Sequence, residues 1–216
     1  MVIVFIGPPG CGKGTQANIL KDTILPDLNI LTVSSLLKEK SQDQSVLGKE
    51  IKNKMDNGDL IEDTVVISVL KEKVNTLTNE QILIDGFPRS SIQADSLVEI
   101  FVNEVLSIIN FEVDDDQLLQ RIKKRSLEES RADDSFFEKR LQIYKKSHQE
   151  ILNSLKKNYQ VTDIQANDEI STVTAKIVDK LGFKWGNLYW LLNAFLIISP
   201  IQEFSIGKNS RCKFTS

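Results

Sequence analysis

The run Gly7-Pro8-Pro9-Gly10-Cys11-Gly12-Lys13-Gly14-Thr15 limits what this chain can fold into more than any other segment. Before it stands Val2-Ile3-Val4-Phe5-Ile6, short, wholly apolar and rich in β-branched residues, which reads as a strand buried on both faces. After it a helix is expected from about Lys13 to Thr23. A glycine loop between a buried strand and a helix is the context in which a loop binds phosphate. Its glycines let successive N–H groups turn inward around an anion. The helix N-terminus adds positive charge. Lys13 supplies a point charge suited to the β- and γ-phosphates of a nucleotide. A glycine turn formed by chance would have no need of that strand and that helix together.

The rest of the chain repeats the alternation. Leu28 to Thr32 reads as a second strand, and Leu36 to Val74 as helices broken near Ser41-Gln42-Asp43 and Asn57-Gly58. Gln81 to Asp85 is another buried strand, stopped by Gly86 and Pro88. A helix, a strand (Val105 to Val113) and a helix (about Asp115 to Lys124) follow. The polar stretch Arg125 to Asp134 then precedes a long helix, in which Phe137, Leu141, Tyr144, Ile151 and Leu155 keep helical spacing. A strand (Tyr159 to Ile164) and a helix (Ser171 to Leu181) end the pattern. Strands alternating with helices imply an α/β fold with a parallel sheet covered on both faces.

Composition excludes several classes. The net charge of -3 argues against a nucleic-acid binder acting through a general basic surface. The two cysteines, Cys11 and Cys212, make neither a disulfide framework nor a zinc site. The N-terminal apolar run lacks a basic start and is cut short by Gly7 and Pro8, so no signal peptide is expected, and the cytosol is the expected compartment. Of 27 basic residues only Arg89, Arg121, Arg125, Arg131, Arg140 and Arg211 are arginine. Lysine serves for general surface charge. The planar fork of arginine is needed where phosphate oxygens are gripped in pairs.

The loop, with Gly14-Thr15-Gln16 after its lysine, resembles that of the nucleoside monophosphate kinases, adenylate kinases in particular. The likeness continues through Asp85-Gly86-Phe87-Pro88-Arg89, through Arg121 and Arg125 four apart on one helix, and through Arg131-Ala132-Asp133-Asp134 and Arg140. It covers about residues 1–182, and five of the six arginines fall on its motifs. The resemblance implies a P-loop three-layer α/β/α fold with a five-stranded parallel sheet. Helices 33–75 would bind the acceptor, and residues 125–134 would form a short lid without the zinc cysteines of long-lid members. It implies transfer of the γ-phosphoryl of ATP to AMP, with Mg²⁺ accompanying ATP. The expected partners are those two nucleotides, with no nucleic acid, and the expected state is a monomer.

The same resemblance assigns roles. Gly10, Cys11, Gly12, Lys13, Gly14, Thr15, Arg121 and Arg125 would hold ATP, with Arg121 against the donor adenine. Thr32, Val33, Lys38, Asp59, Ile61, Gly86, Arg89, Gln93, Arg131 and Arg140 would hold AMP. Lys13, Arg89, Arg125, Arg131 and Arg140 would surround the transferring group, because phosphoryl transfer is mostly positioning and charge stabilisation. Asp85 is suited to hold Mg²⁺ through water. Gln93 follows Arg89 by four residues and so shares its helix face, and its planar amide suits the adenine edge.

Three departures stand out. The segment after the second strand reads Thr32-Val33-Ser34-Ser35-Leu36-Leu37-Lys38, without the glycine and aspartate usual in the family and with lysine for its arginine. Asp134 to Arg140 is two residues shorter than usual. Residues 183–216 extend beyond the family's end, with an apolar core shorter than a bilayer span. We expect this tail to be dispensable for catalysis, membrane contact through it being the minor expectation. The competing readings are a UMP/CMP kinase and a weakly active nucleotide binder of the same fold.

Overall fold

A computed structural model of the chain describes residues 1–57, 59–77, 81–102, 104–128 and 137–183, and for 125–128 the backbone alone. Strands β1 (Val2–Ile6), β2 (Leu28–Thr32), β3 (Gln81–Asp85), β4 (Leu106–Glu112) and β5 (Val161–Gln165) form one parallel sheet in the order β2-β3-β1-β4-β5. The helices are α1 (Lys13–Thr23), α2 (Val33–Ser41), α3 (Val46–Asp56), α4 (Asp63–Asn75), α5 (Ser91–Ile100), α6 (Asp115–Glu128), α7 (Phe137–Asn158) and α8 (Ile170–Lys180).

The central strand explains the layering. All five residues of β1 are buried, and they alternate between two cores. Val2, Val4 and Ile6 join Ile82, Ile84 and Ile108 on one face, covered by α2, α3, α4, α5 and the C-terminal half of α7. Ile3 and Phe5 join Leu83, Ile109 and Phe111 on the other, covered by α1, α6 and α8. A strand apolar at every position can be satisfied only between two helical layers.

Two boundaries differ by more than two residues from those expected. Helix α2 starts at Val33 rather than Leu36. Val33 and Leu37 bury themselves in the core, and that packing overrides the weak helix preference of the valine and serines. Helix α6 runs on to Glu128, so Arg125 to Glu128, expected as a polar stretch, is helical. Arginine, leucine and glutamate there are good helix formers that lack only an apolar period.

The turn between α2 and α3 leaves no room for a side chain at Gly48. A Cβ there would lie 2.3 Å from the Asp43 carbonyl oxygen and 3.0 Å from that of Lys40. Gly48→Ala should therefore destabilise the protein. A steric cost of about 1–3 kcal/mol outweighs a helix-propensity gain of at most about 1 kcal/mol. The melting temperature should fall by several degrees, and an unchanged one would show that the turn opens freely.

Candidate active site

In the sheet, β1 stands where the chain's connections change sides: β1 leads outward to β2, the chain returns to β3, and β3 leads across β1 to β4. A crevice at the carboxyl ends of the strands is expected at such a point. A cleft of about 840 Å³ opens there, lined among others by Gly10 to Gln16, Thr32, Asp85, Gly86, Arg89, Arg121 and Arg140.

The glycine loop forms its floor. Gly7, Gly10 and Gly12 have φ of 149°, 82° and 101°. At Gly10 and Gly12 the left-handed backbone would strain any other residue. Gly12 precedes α1 without any side-chain cap, and the first turn of α1 carries no acidic residue. The first N–H groups of the helix are thus left to an anion rather than to the protein's own side chains. Lys13 folds back over the loop, its Nζ donating to the carbonyls of Gly7 (2.9 Å) and Pro8 (3.0 Å) and lying 3.4 Å from Cys11 Sγ.

Arg121 ties two edges of this floor together. Its guanidinium donates to the carbonyl of Cys11 (3.3 Å) and to that of Ala166 (2.6 Å), just after β5. On the opposite side Arg89 is exposed, and its Nε donates to the Gly86 carbonyl at 2.9 Å. Asp85 ends β3 level with Phe5 of β1 and Thr32 of β2. Its Oδ2 lies 3.7 Å from where a Cβ on Gly14 would stand, so the glycine keeps that carboxylate open to the first turn of α1. A carboxylate facing a phosphate cradle fits a water-bridged hard cation.

A family model described as adenylate kinase matches residues 5–160. The chain belongs to the adenylate kinase family. It is similar to an adenylate kinase of Trichodesmium erythraeum, 31% identical over 191 residues that cover 83% of this chain and 98% of that protein. An adenylate kinase of Prochlorococcus marinus strain NATL1A is 33% identical over 183 residues, 83% of this chain and 98% of its own. One of Leptospira biflexa is 36% identical over 137 residues, 62% of this chain and 73% of that protein. A member of this family is an enzyme, a phosphotransferase.

Not every residue expected at the site meets the cleft. Val33 is buried in the core and Ile61 packs partly against it. Lys38 is exposed, further along α2. Asp59 is exposed and pairs with Lys139 of α7 at 2.9 Å. Gln93 is 3% exposed and does not line the cleft. Its Oε1 accepts from the Arg89 backbone N–H at 2.8 Å, and its Nε2 donates to Asp63 Oδ1 at 2.6 Å. The amide thus spends its polarity inside the protein, because a buried amide must be paired. Arg131 and its neighbours Asp133 and Asp134 lie outside the described residues, as does the tail 184–216, and Arg125 is described by its backbone alone, on α6.

The cleft also holds residues that sequence reasoning missed. Ala166 and Asp168 line it from the connection between β5 and α8, and Ile170 from the start of α8. The signal was available, since such a connection leaves the carboxyl end of a parallel strand. Gln16, buried on α1, donates to the Ile170 carbonyl at 3.0 Å and accepts from Thr174 Oγ1 at 2.7 Å, joining the first turn of α8 to α1 just after the glycine loop. Tyr144 and His148 of α7 line the far wall, their ring centroids 4.6 Å apart and their planes tilted by 31°. Burial pushes the Tyr144 hydroxyl well above its ordinary range, and the Cys11 and Glu112 charges add to this. Burial, aided by Lys156 and opposed by Asp163, holds His148 below the usual imidazole value, so it is a neutral packed ring near pH 7. Among the described residues no group of three or more His, Cys, Asp or Glu is placed to hold a metal, and no helix is long and apolar enough to cross a membrane.

Proposed function

We propose that this chain transfers the γ-phosphoryl group of ATP to AMP, giving two ADP. A phosphate oxygen of AMP attacks the γ-phosphorus while the bond from that phosphorus to the β–γ bridging oxygen breaks. The observation that carries this reading is the placing of Lys13 and Arg89 in one cleft, on loops that follow the two neighbouring strands β1 and β3.

The assigned roles follow from what each side chain can reach. The N–H groups of the glycine loop and α1 cradle the donor phosphates, and Lys13 exchanges its loop carbonyls for phosphate oxygens. Arg121 holds the loop against the connection after β5, beside which the donor base lies. Arg89 grips the acceptor phosphate, and Arg125, Arg131 and Arg140 stabilise the transferring group. Mg²⁺ accompanies ATP in this family, and Asp85 would hold it through water, where it neutralises charge on the β- and γ-phosphates. The unit 1–182, its acceptor helices 33–75 and a short lid at 125–134 are the proposed division of labour. The protein is proposed to act as a cytosolic monomer, with no nucleic-acid partner and with a dispensable tail 183–216.

A coupled assay with ATP against AMP, UMP, CMP and GMP at equal low concentration tests the reading. AMP should be used fastest. The inward turn of the Gln93 amide favours keeping a pyrimidine kinase as the second reading, and faster turnover of CMP or UMP would establish it. Turnover of none of the four would point to a nucleotide binder.

Lys38 allows a finer test. It keeps the charge of the arginine usual at this place in the family but lacks its fork. Lys38→Arg should lower the KM for AMP by about tenfold, the scale of one added charge-assisted hydrogen bond. An unchanged or raised KM would mean that residue 38 points away from the acceptor.

A further inference from the structure

Two buried polar atoms meet no hydrogen-bond partner among the described residues: Oδ1 of Asn110 on β4 and Nδ1 of His148 on α7. Asn110 is 1% exposed, and a polar group so deeply buried is nearly always paired. Its neighbours Ile109 and Phe111 join the core covered by α1, so Asn110 between them points to the other face, which α7 covers. Across the sheet it stands level with Ile6 of β1 and Asp163 of β5, and its Nδ2 donates to Asp163 Oδ1 at 2.8 Å. His148 lies one turn before Ile151 and Leu152, which pack in that same core, and it feels the Asp163 charge. Both unpaired atoms therefore belong to one layer beside Asp163, between the sheet and the middle of α7.

Their chemistries complement each other. The Asp163 carboxylate only accepts, so the Asn110 amide turns its nitrogen there and keeps Oδ1 as an acceptor. Burial keeps the Tyr144 hydroxyl protonated and the His148 ring neutral. That hydroxyl lies 3.3 Å from Nε2. When it donates there, the neutral ring carries its own proton on Nδ1 and is a donor at that atom. An unmet donor and an unmet acceptor thus share one layer without bonding each other directly. Ile6, Ser147, His148 and Ile151 all line the cleft, so a water molecule has a way in.

We propose that the recess between Asn110 and His148 binds one resident water molecule, which accepts from Nδ1–H and donates to Oδ1, and that these two residues thereby position Arg140. Arg140, Tyr144 and His148 are spaced four apart, share one face of α7 and line the cleft. Hydrogen bonds run from Tyr144 through His148 and the water to Asn110 and Asp163. They tie that face of α7 to β4 and β5 and fix the rotation that aims Arg140 into the cleft. The water site stands independently of what the cleft binds. Its effect on turnover rests on the reading of the cleft as the site of transfer from ATP to AMP.

A crystal structure of the wild-type full chain tests the site without any variant. It should show one ordered water within about 2.7–3.2 Å of both atoms. A direct bond from Nδ1 to Oδ1, or a dry gap between them, overturns the proposal. Melting temperatures and steady-state rates of H148Q, H148N, N110L and the double variant H148Q/N110L test the linkage. Glutamine carries its amide at about the reach of Nε2, so it keeps a bond to Tyr144 and loses the donor at Nδ1. H148Q should lower the melting temperature by about 2–4 °C and kcat by about threefold, one hydrogen bond's worth, with both KM values changed less than about twofold. In the N110L background, which already lacks the acceptor, the same change should cost nothing more. Asparagine carries its amide at about the reach of Nδ1, so H148N should recover at least about half of the lost kcat. Equal costs of H148Q in the two backgrounds, or equal loss of kcat in H148Q and H148N, overturn the proposal. Should N110L fail to fold, the crystal and the two His148 variants still decide it. Wild-type protein that ignores AMP overturns the acceptor reading, whereas the water is judged from the crystal alone.

Discussion

Replacing Lys13 with alanine is expected to lower turnover more than about a hundredfold while the protein stays folded. Among the described residues the ammonium bonds only to the loop's own carbonyls and to Cys11 Sγ, and the side chain belongs to neither core. Its removal costs little packing. What it removes is a fixed positive charge at the mouth of the cradle, where charge builds up as the γ-phosphoryl moves. Loss of one such electrostatic donor costs roughly 3 kcal/mol or more of transition-state stabilisation. Steady-state rates at saturating ATP and AMP, read beside a thermal melt, check both halves. A variant that keeps more than a tenth of wild-type turnover would show that the glycine loop is not where the reaction occurs.

Arg89→Ala is expected to have an effect of similar size, but on the acceptor. The Arg89 guanidinium arches over Gly86, where a Cβ would stand 3.1 Å from Nη2, so that glycine gives it room to lie across the cleft wall. A bidentate grip on a phosphate comprises two charge-assisted hydrogen bonds of about 1.5–3 kcal/mol each. Their loss should reduce kcat/KM for AMP by more than about a hundredfold, with a much smaller change in the KM for ATP. Arg89→Lys should recover only part, since an ammonium restores the charge without the fork. Equal damage to the two KM values would place Arg89 between the nucleotides rather than on the acceptor.

Some of this architecture lay open in the sequence. A strand apolar at each of Val2 to Ile6 has no solvent face, so it must lie between two layers, and the helix after the loop begins at Lys13 as its pattern predicts. Glycine is demanded where φ is positive, so Gly10 and Gly12 announce the shape of the loop before any neighbour is known. Arginines are few, and those at 89, 121 and 140 are each brought to the cleft. These features are local: a backbone conformation, a period, a side-chain chemistry.

What the tertiary structure alone decided concerns partners distant in the chain. Spacing put Gln93 on the face of Arg89. Nothing in the sequence says that Asp63, 30 residues earlier, will reach across and turn its amide inward. Nor does it say that Asp59 will meet Lys139, 80 residues on, or that Gln16 will anchor the start of α8 through Ile170, 154 residues away. A hydrogen bond depends on which groups the packed helices bring within about 3 Å of each other. A residue's type limits which bonds it can make, and only the assembled layers choose among them.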